Sequence, residues 1–366
     1  MAKTALVHDW LNGMRGGEKC LEVLCEIFPE SPVYTLFCEK NKVSHEIARH
    51  SVRQSWLGSL PGVRSVYRYY LPLFPAAIES FDLKDYDLVV STSHCVAKGA
   101  RRREGARHVC YCFTPMRYAW TFFDEYFGGR GALSRGLIRR LLERLKAWDL
   151  RANSRVDHFV AISRHVQKRI HDYYGRPSEV IYPPCDTDFY VPDGEPREDF
   201  YLIVSALVPY KKIDRAIRAL AGRRLVIIGD GPERKKLEKN APEGVQFLGW
   251  RPDEALRDYY RRARALVFPG EEDFGIVPVE AQACGCPVIA HGVGGALETV
   301  IDGQTGVFFA EPTEAALQDA VARFEKASFD PVRARENALR FSRERFKNEM
   351  KAMIGRETAQ KQKAAA

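Results

Sequence analysis

No stretch of this chain approaches the uninterrupted apolar length that a bilayer-spanning helix needs, so no transmembrane segment is expected. The opening residues, Met-Ala-Lys-Thr-Ala-Leu-Val-His-Asp-Trp, hold too short an apolar run for a signal peptide and read as a short strand. The nine cysteines are scattered. Cys110-x-Cys112 and Cys284-x-Cys286 have neither zinc nor redox spacing, and no second pair completes a set of four ligands. With no leader in view, reduced thiols and a cytoplasmic location are expected. No Asp/His cluster suggests a bound metal, and no nucleic-acid-binding motif is present.

What the chain does have is length and an uneven charge. Its 366 residues are too many for one ordinary domain and suit two, and 45% hydrophobic with 28% charged residues is the balance of a globular protein. The net charge is +8, and residues 1–185 carry 28 Lys/Arg against 19 Asp/Glu while the rest carry 28 against 29. The whole excess lies in the N-terminal half. That asymmetry points to an anionic partner for this half. Without a nucleic-acid motif, an anionic membrane surface is the candidate.

Strands and helices alternate regularly in the second half. Tyr201–Ala206, Arg224–Gly229, Val245–Leu248, Arg264–Phe268 and Pro287–Ala290 read as strands, with helices over Ile213–Ala221, Pro232–Asn240, Asp253–Arg262 and from about 277. Continuous apolar runs mark buried parallel strands, so a doubly wound sheet follows, with ligands bound beyond the strand C-termini. The first half has the same order with longer insertions. Thr4–His8, Tyr86–Ser91, Arg107–Cys112 and Asp157–Ile162 are its visible strands. Gly175–Pro184 begins the crossing, and Pro-rich Val191–Pro196 reads as the linker. The expected domains are 1–184 and 197–330, with one last helix over about 331–353.

The chemistry concentrates in Glu272-Asp-Phe-Gly-Ile-Val-Pro-Val-Glu280. It follows a strand, turns at Gly275 and enters a helix. The first turn of a helix has unpaired N–H groups and a positive dipole end, which suits a phosphate. Glu272 precedes the helix and Glu280 lies about one turn inside it. A carboxylate only accepts hydrogen bonds and sugar hydroxyls donate them. Two carboxylates with phosphate-binding amides between them suit a sugar joined to a nucleotide through a diphosphate.

The run Glu280-Ala-Gln-Ala-Cys-Gly-Cys-Pro-Val-Ile-Ala290, followed by Gly294-Gly295-Ala-Leu-Glu298 and Gly303-Gln-Thr-Gly306, resembles the C-terminal signature of the E-x₇-E retaining glycosyltransferases. Gly229-Asp-Gly-Pro-Glu233 and Leu207-Val-Pro-Tyr-Lys-Lys212 extend the resemblance, which is close over 201–310 and looser elsewhere. It implies the GT-B fold, two facing Rossmann-like doubly wound domains, the first for an acceptor and the second for a nucleotide sugar. It also implies that the last helix returns to the first domain. The site it implies has Glu280 on the ribose and Glu272 on the transferred hexose. Gly275, Ile276, Val277 and Lys211 then stand on the diphosphate, with Gly16 and Gly17 of Gly13-Met-Arg-Gly-Gly-Glu18 facing it from the first domain. Glu272 and Lys211 are the catalytic candidates. The family typically works without a metal, and Asp186-Thr-Asp188, which imitates a metal motif of another glycosyltransferase fold, lies in a linker element here.

The chain departs from the pattern twice. Ala206 stands where the family commonly has an Arg on the diphosphate, with Lys212 or Arg117 as the available substitutes. Cys112-Phe-Thr-Pro-Met-Arg-Tyr-Ala-Trp120 is similar to a segment of O-antigen and capsule mannosyltransferases, but Phe113 replaces its His. A phenyl ring shares no proton. His94, Arg117 and Tyr118 are the remaining substrate-binding candidates. The expected activity is transfer of a hexose, mannose from GDP-mannose ahead of a UDP-hexose, to a lipid-linked glycan in bacterial surface polysaccharide synthesis. The rival reading is a nucleotide-sugar binder without turnover. Residues 133–150 have helical period, with Leu133, Leu137, Ile138, Leu141, Leu142, Leu145 and Trp148 in one stripe and Arg135, Arg139, Arg140, Arg144 and Lys146 mostly off it. The helix is either a core element with a basic face or a peripheral anchor on the inner membrane face, joined by Val66–Phe74.

Overall fold

The computed structural model describes residues 2–120 and 132–365, and the side chains of these other than Tyr118, Ala132, Leu133 and 360–365. The chain forms two compact units, one of 1–184 with 346–366 and one of 185–345. Each is built on a parallel sheet.

The first sheet has seven strands, β1 Thr4–His8, β2 Val33–Thr35, β3 Val52–Gln54, β4 Leu88–Ser93, β5 Arg107–Cys112, β6 His158–Ala161 and β7 Ser178–Val180, in the order β3-β2-β1-β4-β5-β6-β7. β1 and β4 are buried over their full length, as continuous apolar or small-residue runs require when helices cover both faces. β3 is polar and mostly exposed, which suits an edge strand. The core on one side gathers Val7, Leu36, Phe37, Phe74, Ile78 and Val89.

The second sheet has six strands, β8 Tyr201–Val204, β9 Leu225–Ile228, β10 Val245–Gly249, β11 Ala265–Phe268, β12 Val288–His291 and β13 Gly306–Phe309, in the order β10-β9-β8-β11-β12-β13. Tyr201, Ile203, Leu225, Ile227, Val267 and Ile289 line its core. In both sheets the order reverses once, between β1 and β4 and between β8 and β11. Ligand crevices of such sheets open at these reversals, beyond the strand C-termini.

The single helix expected over 331–353 is two, Pro331–Leu339 and Arg343–Ala365. The reason lies between them. The Phe341 carbonyl accepts the Cys185 N–H at 2.7 Å, so it leaves the helical ladder. Phe341 is buried against Phe274 in the second unit, while Phe346, also buried, packs on Tyr111 in the first. Residues 185–196 pack with the second unit, where Arg335 donates to the carbonyls of Thr187 and Tyr190 and Arg261 to that of Val191. β7 lies inside the segment read as a crossing, and β2, β3 and β13 were not anticipated.

The helix Ala132–Ala152 divides along its length. Leu142, Leu145 and Trp148 are buried, whereas Leu137 is 73% exposed and Arg139, Arg140 and Arg144 are exposed beside it. The Leu133 side chain lies outside the described residues.

Candidate functional site

In the second unit, the loops leaving β8 and β11 meet at the sheet reversal. Lys211 closes a short 3₁₀ turn, Pro209–Lys211, after β8. Lys212 follows with φ +55°, the one non-glycine residue in the left-handed region among the described residues. Such a conformation costs of order 1–3 kcal/mol and persists where the surroundings demand it. The Lys211 ammonium forms an ion pair with the Glu272 carboxylate, and both side chains keep partial access to solvent. Sequence reasoning had given these residues adjoining roles; the structure brings their charged ends together.

Two glycines make that loop possible. Gly275, with φ +85°, caps the helix Ile276–Ala283. Gly295 sits so close to Phe274 that a Cβ would meet its backbone at 2.3 Å, and its N–H donates to the Glu272 carbonyl at 2.8 Å. The carboxylate loop is therefore held by backbone contact on one side and by Lys211 on the other. The N–H groups of Ile276 and Val277 open the helix and have no partner within it. Pro278 in this first turn removes no helical hydrogen bond.

Glu280 is 5% exposed, and its Oε2 accepts the Tyr260 hydroxyl at 3.1 Å. Burial, and then the negative charge of Glu280, push the Tyr260 hydroxyl well above the usual tyrosine range, so it stays a donor. Nothing in the sequence singled out Tyr260. Its only trace is an aromatic on the inner face of Asp253–Arg262.

Behind the glutamate helix lies a set of bonds that holds its C-terminal end. Arg197 donates to the carbonyls of Tyr260, Arg261 and Ala263 at 2.9–3.0 Å and to that of Cys284 at 3.2 Å. Arg335 donates to Ala283 at 3.1 Å. Cations at helix C-termini are favourable with the dipole as well as with the open carbonyls. The buried Gln282 amide donates to Pro278 and Thr299, and Asn337 donates to Gln282 Oε1 at 2.7 Å. The helix that carries Glu280 is thus anchored from below before any ligand arrives.

In the first unit, His8, Asp9, His94 and Phe113 gather at the ends of β1, β4 and β5. The His94 ring packs edge-on against Trp10, centroids 4.5 Å apart, and lies 6.3 Å from Phe113. Gly17 faces the same group, since a Cβ there would meet Phe113 at 3.3 Å and His8 at 3.7 Å. Gly16 and Gly17 open the helix Gly16–Ile27. The acceptor at that helix start is Glu18, whose carboxylate takes the Arg15 N–H at 3.1 Å. This carboxylate lies within the segment whose glycines the family resemblance places facing the diphosphate. Burial raises its pKa. Arg117 opens a short helix, Arg117–Trp120, four residues beyond Phe113; the Tyr118 side chain lies outside the described residues. Asp186 Oδ1 caps the Phe189 N–H at 3.1 Å, a local turn. Asp9 was overlooked in the sequence, where it is one of 48 acidic residues and no local pattern distinguishes it.

Two doubly wound units, each on a parallel sheet whose strand order reverses once, define a two-Rossmann architecture. Residues 190–341 match the family described as Glycosyl transferases group 1, and residues 30–189 match Glycosyltransferase Family 4. Together the two glycosyltransferase family models cover residues 30–341. The chain is 31% identical over 238 residues to the GDP-mannose-dependent alpha-(1-6)-phosphatidylinositol monomannoside mannosyltransferase of Mycolicibacterium smegmatis, covering 56% of this chain and 57% of that protein. It is 32% identical over 163 residues to an uncharacterized glycosyltransferase of Methanocaldococcus jannaschii, covering 43% and 46%. The chain thus spans about half the length of the curated relatives it matches. Sucrose-phosphate synthase from Thermosynechococcus elongatus superposes with TM-score 0.69 at 19% identity, over 97% of this chain and 99% of that one. Anabaena HepE in complex with UDP-glucose gives 0.67 at 20%, over 96% and 99%. These two structures share the fold.

Proposed function

We propose that this chain is a retaining E-x₇-E glycosyltransferase that moves a hexose, mannose from GDP-mannose ahead of other sugars, to a lipid-linked glycan acceptor in bacterial surface polysaccharide synthesis. The observation that carries the reading is the Lys211–Glu272 pair at the β8/β11 reversal, set directly before the helix of Glu280. A nucleotide diphosphate sugar needs acceptors at its two ribose and hexose ends and donors at its centre. Glu280 would take the ribose hydroxyls, Glu272 the hexose hydroxyls, and Lys211 with the amides of Gly275, Ile276 and Val277 the diphosphate. Charge develops on the leaving diphosphate, and donors fixed in advance stabilise it without reorganising. Mannose is favoured by the Phe-Thr-Pro-Met-Arg-Tyr segment and by the names of the mannosyltransferase relatives.

The first unit would hold the acceptor, with Arg117, Tyr118 and His94 as contacts, and Gly16 and Gly17 leaving room at the same edge. The exposed Leu137 and the arginines beside it support peripheral binding to an anionic membrane from the cytoplasmic side, as does the basic excess of this unit. No helix among the described residues is long and apolar enough to cross a membrane. No metal takes part in this reading. The test is a thermal-shift panel of nucleotide sugars followed by transfer assays in excess EDTA. GDP-mannose should raise the apparent stability most, by mass action, and transfer should survive the chelator. Binding without product, with any lipid acceptor, would instead establish a nucleotide-sugar binder. Activity restored only by manganese or magnesium would end the metal-free reading.

A further inference from the structure

The crevice at the β1/β4 reversal holds, behind His94, a buried carboxylate that the reading above does not use. Asp9 is 0% exposed. Its Oδ2 accepts the N–H groups of His94 at 2.7 Å and Cys95 at 2.9 Å, and its Oδ1 accepts those of Val96 and Ala97, both at 2.7 Å. Four amides are enough to hold the turn after β4. A fifth contact exceeds that need: His94 Nδ1 lies 3.1 Å from Asp9 Oδ2. A carboxylate has no proton to give, so Nδ1 carries the hydrogen and, in the neutral ring, Nε2 presents a lone pair. Burial alone would raise the Asp9 pKa. The His94 ring and the amides outweigh it and bring the group to about 2, so the acceptor is a carboxylate throughout the working range. His8, its buried neighbour, is driven down to about 4 by burial and stays neutral, leaving the Asp9 charge to His94.

The two members of the pair differ in access. The acid is sealed, whereas the His94 side chain is 34% exposed. Trp10 and Phe113 flank the ring and restrict its rotation. The ring is fixed at Nδ1 by a group that solvent cannot reach and left accessible in a crevice at the sheet reversal, where such folds take ligands.

We infer that Asp9 is the positioning residue of His94, and that His94 Nε2 accepts a hydrogen bond from a sugar hydroxyl bound in this crevice. The inference rests on the glycosyltransferase reading. It selects hydroxyls against phosphates, because a phosphate oxygen and an imidazole lone pair are both acceptors. The hydroxyl belongs either to the donor hexose or to the acceptor sugar, and the two sources give different results.

The experiment uses the full chain, His94→Phe, Asp9→Asn and the double variant. The probes are GDP, GDP-mannose and octyl α-mannoside. If the hydroxyl is the donor's, His94→Phe should weaken GDP-mannose about tenfold and leave GDP unchanged, the loss of one hydrogen bond. If it is the acceptor's, both affinities should hold while transfer to octyl α-mannoside falls about tenfold or more and release of mannose to water is kept. Asp9→Asn should repeat the His94→Phe defect, and the double variant should be no worse than His94→Phe, because Asp9 acts through the ring. A purely structural Asp9 would give additive losses, which overturns the positioning role. Should Asp9→Asn fail to fold, ¹⁵N-histidine spectra of the unaltered chain decide. A proton on His94 Nδ1 is the expected result, and a ring that carries its proton on Nε2 alone overturns it. Unchanged binding, hydrolysis and transfer in His94→Phe would also overturn it while leaving the glycosyltransferase reading in place. Failure of the unaltered chain to bind or use GDP-mannose or UDP-glucose would remove both.

Discussion

The two units place an acid and a basic group at the same point of the same kind of sheet, and use them differently. Asp9 and His94 close the β1/β4 reversal; Lys211 and Glu272 close the β8/β11 reversal. In the first pair the acid is sealed and bonded to backbone. In the second both ends remain accessible. The difference extends into the surroundings. The first unit buries ionisable groups: Lys98 reaches Asp149 Oδ1 at 2.9 Å and Asn153 Oδ1 at 2.8 Å, while Asp149 Oδ2 accepts from Trp120 and Tyr174. The second unit supports its site with neutral amides, Gln282 and Asn337, and with partly buried arginines on helix ends. Charge differs as well. The first unit carries 33 Lys/Arg against 21 Asp/Glu, and the second 23 against 27. One scaffold thus stores charge in its interior and on its surface. The other buries Asp273 and Glu280 and spreads its remaining charge over surface ion pairs such as Arg218–Asp214 and Arg262–Glu198. The fold sets where a site is, and the environment at that point sets what the site can do.

The sharpest way to break this contrast is Lys98→Met. It leaves Asp149 buried without its cation, which typically costs about 3–5 kcal/mol. Chemical denaturation should show this loss, and Lys98→Met/Asp149→Leu should recover part of it. An effect below about 1 kcal/mol would mean that the buried charge is not integral to the first unit.

Acid should separate the units next. His8 and His108 are buried, and burial brings each from 6.5 to about 4. The unfolded chain binds those protons more readily, so the stability they represent is whole above pH 6.5 and is lost as pH falls toward 4. At 1.36 kcal/mol per pH unit this is on the order of 3 kcal/mol for each histidine. Asp9, lowered from 3.8 to about 2, extends the loss below pH 4. Hydrogen exchange followed from pH 7 to pH 4 should show β1, β4 and β5 losing protection ahead of β8, β11 and β12. The reverse order would contradict the buried-charge account.

Two substitutions in the second unit should have smaller effects. Asn337→Ala removes donors to Gln282 Oε1 and the Thr299 carbonyl and should cost about 1–3 kcal/mol of stability. Its cost should remain below that of Lys98→Met. Glu280→Ala should weaken GDP or UDP by about 1–3 kcal/mol in calorimetry, the value of a charge-assisted hydrogen bond. Unchanged nucleotide affinity in a folded variant would take Glu280 out of the site. The smallest effect is at the surface. Each arginine near an anionic membrane contributes about 1 kcal/mol and is screened by salt. Replacing Arg139, Arg140 and Arg144 with Gln should reduce binding to anionic vesicles and leave nucleotide affinity alone. No preference for anionic over neutral vesicles at low salt would make Ala132–Ala152 an ordinary core helix with a basic face.

Much of this protein is written locally. Continuous apolar runs such as Leu225–Ile228 and Ala265–Phe268 identify buried parallel strands because burial on both faces leaves no polar alternation. Glycine before an apolar helix start identifies the Glu272–Glu280 segment for the same reason, since few other residues adopt the conformation of Gly275. What escaped is what depends on distant partners. β2, β3 and β7 are three residues each, too short for any period to register, and they exist as strands because neighbours pair with them. The break at Phe341 is made by the Cys185 amide, 156 positions earlier. Asp9 meets the amides of residues 94–97 across more than 80 residues, and Tyr260 meets Glu280 across 20. Sequence alone determined the two sheets and the carboxylates before and within one helix, because backbone conformation and side-chain burial follow short-range patterns. Only the tertiary structure decided that Lys211 pairs with Glu272 and Asp9 holds His94. Those contacts form where separate loops leave adjacent parallel strands, and strand adjacency is a property of the folded sheet.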